Sequence, residues 1–308
     1  MKFTVNDKIF KNNNYTMERT NRIKMMIILK AIVLGLFHLL ILPYLLIRPK
    51  YENYIFVVTT GRSGSGTLAN IFKKIKSIHA EHEPYPIMHN NLDLPKKLFK
   101  IWNWYLFYFV KYPSILLSRK EGEKTYLETN HLFLKSFSKY ATRVFKNKIK
   151  IIHLIREPHL VAKSIYEINK IPGKKLGNRW YLNPADVDNQ INFSEVYLSI
   201  KDKEKNDYNE FYICLWYWYE MEKRFKKFQQ TYGNLPIVEI TTNELNNSKE
   251  LVAKLNTSFK MNIDEIKVNL SENLKNLKKE EKINSIAVNE AITKNNLFYQ
   301  TIKSRCNE

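Results

Sequence analysis

The chain has 308 residues, a formal net charge of +20 and a pI of about 9.6. That length holds one large catalytic domain and an appendage. The cations are scattered through helical segments rather than gathered in one block, which argues against a nucleic-acid partner and favours an anionic nucleotide, an anionic glycan or a membrane surface.

Residues 1–24 form a polar, basic flank without apolar periodicity, expected to be unstructured. Residues 25–47 are apolar except for Lys30 and His38, with an unbroken run from Ala31 to Ile47. This is near the lower limit for a bilayer-spanning helix, roughly 17 to 25 residues, and it predicts a membrane anchor; a buried core helix is the alternative. Arg48-Pro49-Lys50 offers no small-residue cleavage site, against a signal peptide. Cations flank both ends, so single-pass and monotopic arrangements both fit, as do a Golgi-type and a bacterial inner membrane. The sequons at Asn14, Asn192, Asn246, Asn256 and Asn269 arise by chance in so Asn-rich a chain and set no compartment.

Tyr54–Thr60 is an apolar, β-branched run ending in the Gly- and Ser-rich turn Gly61-Arg62-Ser63-Gly64-Ser65-Gly66-Thr67. It reads as a buried parallel strand, a phosphate-binding loop and a helix from about Thr67 to Ser77, whose free N–H groups and positive dipole end face an anion. Thr67 stands where an ATPase loop carries Lys, which disfavours ATP chemistry and leaves Arg62 as the loop's cation.

Glu81-His82-Glu83-Pro84 then reads as a short loop. Residues 98–117 are intensely aromatic and fit a core helix, an interfacial segment or a wall of an acceptor groove. Thr125–Thr129 is a strand candidate and Leu132–Phe145 a helix. Lys150–Ile155 predicts a central parallel strand, and Pro158 opens the next helix. Residues 171–206 read as an insertion or mobile loop, and Asp207–Tyr232 as a long helix. Leu235–Thr241 is a third strand, Asn243–Leu255 its helix, and the Lys-rich tail beyond Asp264 is helical. Cys214 and Cys306 suggest neither a disulfide framework nor a zinc site. Alternating strands and helices give an α/β three-layer sandwich with a mainly parallel sheet, and ligands at the strands' carboxyl ends.

Arg156 ends the second strand and Ser164 lies two turns into the following helix, so both reach one anion near its start. Taken alone, such an Arg more often makes a structural ion pair. Thr60–Thr67 together with Leu154-Ile-Arg-Glu-Pro-His-Leu-Val-Ala-Lys-Ser164 resembles the paired motifs of the sulfotransferase family, in the style of its membrane-associated carbohydrate members. Leu235–Leu245 is similar to a later strand and helix start of that family. The resemblance implies a domain over residues 52–308 with acceptor-side insertions at about 85–125 and 171–206. It implies a 3′-phosphoadenosine 5′-phosphosulfate co-substrate, with Arg62, Ser63, Gly64, Ser65, Gly66 and Thr67 at the 5′-phosphosulfate and Arg156 and Ser164 at the 3′-phosphate.

Sulfuryl transfer needs a base for the acceptor hydroxyl and a cation for the leaving phosphate, and requires no metal. Arg62 supplies the charge. Glu83-Pro84 resembles the family's Glu-Pro, which makes Glu83 the first base candidate, before Glu81 and His82; Glu128 is expected beside the acceptor. The expected acceptor is a hydroxyl on a carbohydrate or glycolipid. The other readings are a nucleotide-dependent kinase or NTPase with the same loop, and a non-catalytic, membrane-associated glycan-binding protein.

Overall fold

The computed structural model describes residues 5–89, 92, 94–201, 209–263 and 297–308. Its centre is a sheet of five parallel strands: β1 (Asn53–Val58), β2 (Ile78–His82), β3 (Thr125–Thr129), β4 (Ile149–Ile155) and β5 (Ile237–Thr241), in the order β2-β3-β1-β4-β5. β1 lies at the middle with β3 and β4 as neighbours, and Val57 pairs with both Thr129 and Ile152. The carboxyl ends therefore line up, and the segments following β1, β3 and β4 start side by side.

Residues of β1 alternate between two cores, as a strand's period of two dictates. Ile55 and Val57 meet α3 (Ser65–Phe72) and α10 (Ser248–Phe259) through Leu68, Ile71, Leu251 and Leu255. Tyr54, Phe56 and Val58 face the aromatic layer built by Phe107, Phe133, Phe137, Phe145 and Phe228. A third core joins α7 (Pro158–Glu167), α9 (Asn209–Thr231) and α11 (Leu297–Asn307) through Val161, Ile165, Trp216 and Phe298.

The structure changes several expectations. Glu81 and His82 belong to strand β2 rather than to a loop; as a sheet-edge strand with one half-exposed face, β2 lacks the apolar run that betrays a central one. Helix α3 begins at Ser65, two residues earlier than expected. The aromatic segment forms α4 (Lys96–Tyr105), a π-helical turn over Leu106–Lys111 and α5 (Tyr112–Ser118); another π turn (Phe133–Phe137) precedes α6 (Ser138–Phe145). Residues 171–201, expected to be mobile, carry a 3₁₀ turn (Gly177–Arg179) and α8 (Phe193–Lys201) and bury Tyr181, Ile191 and Val196. Residues 202–206 and most of the Lys-rich tail lie outside the described residues.

Gly177 shows how tightly that segment is set, because a Cβ there would collide with the Ile171 carbonyl oxygen while the Gly177 carbonyl accepts from Trp180 and Tyr181 N–H. Gly177→Ala should lower stability by about 1–3 kcal/mol in urea denaturation, the usual cost of overpacking.

Residues 5–24 are helical rather than unstructured, and continue into the apolar stretch as α1 (Val5–Leu40), followed by α2 (Leu42–Ile47). Asn21–Leu40 spans 20 residues at a mean hydropathy of 2.1, long and apolar enough to cross a bilayer, as signal sequences and buried core helices also can be.

Glu128, expected beside the acceptor, is instead fully buried. Its carboxylate pairs with Lys111 Nζ at 2.8 Å and accepts from Tyr126 OH and Asn130 Nδ2, both at 2.9 Å. Both groups are sealed from solvent, and their ion pair holds the π turn against β3.

Candidate active site

The loop after β1 turns on left-handed backbone: Gly61 at φ +81°, Arg62 at φ +59° and Gly64 at φ +86°. Glycine adopts this region freely, while Arg62 is strained there, and such turns bring successive N–H groups together as an anion cradle. Gly64 caps α3 without a side-chain acceptor, which leaves the first N–H groups of that helix for a ligand.

The loop is held from behind. Thr60 and Ser63 hydroxyls lie 3.0 Å apart, and Ser63, fully buried, donates to the Gly61 carbonyl at 3.2 Å. The Ser63 hydroxyl therefore folds the loop, which leaves its backbone N–H for a ligand. Tyr217 OH on α9 donates to the Thr60 carbonyl at 3.0 Å, and Thr242 Oγ1 stands 3.1 Å from both the Ser63 and Ile155 carbonyls.

The two motifs meet here. Arg62 Nε donates to Ser164 Oγ on α7 at 2.9 Å, across 102 positions of sequence, and Arg156 donates to the Arg62 carbonyl at 2.8 Å. Burial and the like charge of Arg62 lower the Arg156 pKa. Among the described residues neither guanidinium has a carboxylate ion pair. Two arginines without counter-ions beside an uncapped helix N-terminus fit an anion with more than one phosphate.

On the other side of the loop, His131, just past β3, packs on Gly61, where a Cβ would lie 3.3 Å from its ring. Its Nδ1–H donates to Glu83 Oε1 at 2.7 Å, and its buried Nε2 has no hydrogen-bond partner among the described residues. Burial and the nearby Lys135 push the His131 pKa down to about 4, against the opposing pull of Glu83. Burial acts to raise the Glu83 pKa, but the His131 hydrogen bond and charge outweigh it and the net shift is downward. At neutral pH this pair is a neutral imidazole with a free Nε2, steadied by a carboxylate. Glu81 lies further along the β2 edge, 3.4 Å from His79 Nε2, and the exposed His82 bonds Thr129 Oγ1 at 2.9 Å.

Lys135, on the second π turn, donates to the Trp180 carbonyl at 2.5 Å and to Tyr217 OH at 2.7 Å; burial holds its pKa well below the usual lysine value. It opens onto a cavity of about 410 Å³ walled by Lys100, Asn103, Trp180, Tyr181 and Arg224.

Sequence reasoning had placed Arg62, Arg156, Ser164 and Glu83 at one site, and the structure brings them around one loop. It missed His131, Lys135 and Tyr217. His131 directly follows the Glu-Thr-Asn at the end of β3, where a parallel sheet collects ligands, and that position was the available signal.

A sulfotransferase-domain profile matches residues 52–230, more than half of the chain. The chain belongs to the sulfotransferase family and is a sulfotransferase enzyme. Among solved structures it is similar to a sulfotransferase from Alicyclobacillus acidocaldarius (13% identity, 84% of this chain and 95% of that one, TM-score 0.47). It is also similar to the sulfotransferase domain of the Synechococcus PCC 7002 olefin synthase (12% identity, 84% and 95%, TM-score 0.47). Retinol dehydratase, in complex with androsterone and inactive cofactor PAP, is similar over 82% of this chain and 71% of its own (13% identity, TM-score 0.33). A search of curated proteins gave no match.

Proposed function

We propose that this sulfotransferase moves the sulfuryl group of 3′-phosphoadenosine 5′-phosphosulfate to a hydroxyl of a carbohydrate or glycolipid. The observation that carries the proposal is the convergence of Arg62, Arg156 and Ser164 at the loop and the start of α3. The N–H groups of Ser63, Gly64, Ser65, Gly66 and Thr67 would receive the 5′-phosphosulfate, and Arg156 with Ser164 the 3′-phosphate. Arg62 offers the only cation within the loop itself, and its fork would take up charge on the departing phosphate.

Glu83 acts through His131. His131 Nε2 accepts the acceptor's proton, and Glu83 holds the ring by Nδ1–H and stabilises the imidazolium that forms. The acceptor would enter through the cavity beside Lys135, whose wall includes Trp180 and Tyr181.

A base of pKa about 4 is competent above that pH and blocked below it. The kcat/KM of the parent should therefore be level from neutrality to about pH 5 and fall as pH drops through about 4. Glu83→Gln removes the group that raises the His131 pKa, so it should move the acid limb lower and cut kcat by about 10²-fold. Unchanged rate and unchanged limb would remove Glu83 from the mechanism. The reaction itself is tested by incubating the enzyme with sulfur-labelled donor and fractionated glycans, lipids and proteins; label in proteins alone would refute the acceptor class.

A further inference from the structure

The apolar N-terminal helix does not leave the domain as a stalk. From Ala31 to Arg48 it runs lengthwise along α4, the first π turn and α5. Tyr105 OH donates to the Ala31 carbonyl at 3.3 Å, His38 Nδ1 donates to the Phe109 carbonyl at 2.8 Å, and Arg48 donates to the Arg119 carbonyl at 2.5 Å. At Gly35 the Tyr105 hydroxyl lies against the α1 backbone, in the space a Cβ would take. Ala31, His38 and Leu45 are buried along this seam at helical spacing.

The far side of those partner helices is the protein core. Leu106, Phe107 and Val110 pack beneath the sheet, and Lys111 is locked to buried Glu128. If α1 stood along the membrane normal, the seam of roughly 25 Å would carry this core, its ion pair and the sheet edge into hydrocarbon. Keeping the domain in water requires α1 to lie in the membrane plane.

What faces outward is lipid-like in extent. Around the seam, α1 exposes Ile28, Leu29, Ile32, Val33, Leu36 and Phe37, without a charge between Lys30 and Arg48. The face continues onto α4 with Leu98, Ile101 and Trp104. It wraps both sides of one helix and crosses to another, wider than a single protein helix covers. Exposed Arg22, Lys30, Lys97 and Lys50 rim it, which suits anionic head groups, and Trp104 suits the interface.

α4 is also a wall one helix thick. Its Lys96, Phe99, Lys100 and Asn103 line the cavity beside Lys135, on the side opposite Leu98, Ile101 and Trp104. The cavity therefore lies about 10–12 Å, one helix diameter, from the apolar face.

We propose that α1, α2 and the outer face of α4 seat the enzyme in a single leaflet without crossing the bilayer, and that the cavity behind α4 receives the polar head of a lipid from that leaflet. The second half rests on the transfer reading above and selects its glycolipid over its free carbohydrate; the first half does not depend on it.

Cys214 and Cys306 are buried, so Arg22→Cys and Lys50→Cys give two addressable ends. In right-side-out and inverted membrane vesicles carrying the full chain, a membrane-impermeant maleimide should label both variants from the same side. Labelling of the two from opposite sides means a spanning helix and overturns the seat. Leu98→Glu with Trp104→Glu should reduce flotation with vesicles of phosphatidylcholine and phosphatidylglycerol at least tenfold and leave adenosine 3′,5′-bisphosphate binding unchanged; undiminished flotation takes α4 out of the leaflet. With labelled donor, vesicles of the source cells' total lipid and the soluble glycans of the same cells, label should extract with the lipids. Label found only in soluble glycans overturns the second half; label in no fraction overturns it together with the transfer reading, and the sidedness result stands by itself.

Discussion

Arg62→Ala is expected to lower kcat/KM for sulfuryl transfer by at least about 10²-fold while leaving the thermal midpoint within a degree or two of the parent. The side chain is exposed and its hydrogen bond to Ser164 is at the surface, so stability loses little. On the proposed mechanism the reaction loses the loop's cation where charge builds on the leaving phosphate. Arg62→Lys should fall between the two, since it keeps the charge and loses the planar fork. The kinetics are read with labelled donor and the fold by melting. A rate equal to the parent's in the alanine variant would take Arg62 and its loop out of the reaction.

The largest expected effect on stability comes from Lys111→Met. Glu128 is fully buried, and its charge is balanced by Lys111 Nζ at 2.8 Å. Removing one partner of such a pair costs about 3–5 kcal/mol, because the other charge is stranded. Urea denaturation should show that loss as a fall in midpoint. Adding Glu128→Gln to Lys111→Met should recover part of it, since the amide carries no charge and still accepts from Tyr126 OH. A single variant as stable as the parent would mean that the pair contributes nothing to holding the π turn on β3.

Legibility in the sequence followed burial and locality. β1 and β4 are central, and their strands Asn-Tyr-Ile-Phe-Val-Val and Ile-Lys-Ile-Ile-His-Leu-Ile read as the apolar runs that a buried parallel sheet demands. β2 escaped notice because Ile-His-Ala-Glu-His at a sheet edge alternates with polar residues and resembles a turn. At the site, Arg62, Arg156 and Ser164 stand in local motifs and could be found by spacing. His131 gains its meaning from Glu83, 48 positions away, and from the approach of Gly61, neither of which is a local pattern. The same holds for Lys135, whose partners Trp180 and Tyr217 lie 45 and 82 positions on.

The aromatic segment illustrates a different limit. Its core reading holds for Leu106, Phe107 and Val110, which are buried, while Leu98, Ile101 and Trp104 of the same stretch are exposed. On α4 the apolar side, Leu98, Ile101 and Trp104, is the exposed one and the Lys96, Lys100 and Asn103 side borders the cavity, the reverse of a helix packed on a core, so only packing assigns the faces.

The central claim, that the β1 loop and the start of α7 form one site for a nucleotide phosphorylated at both its 3′ and 5′ positions, is tested most directly by calorimetric titration. Adenosine 3′,5′-bisphosphate should bind the parent, and Arg156→Ala or Ser164→Ala should weaken it on the order of tenfold or more. Magnesium-ATP should not displace it. Tight binding of magnesium-ATP with no binding of the bisphosphate would contradict this site and return the loop to the kinase or NTPase reading.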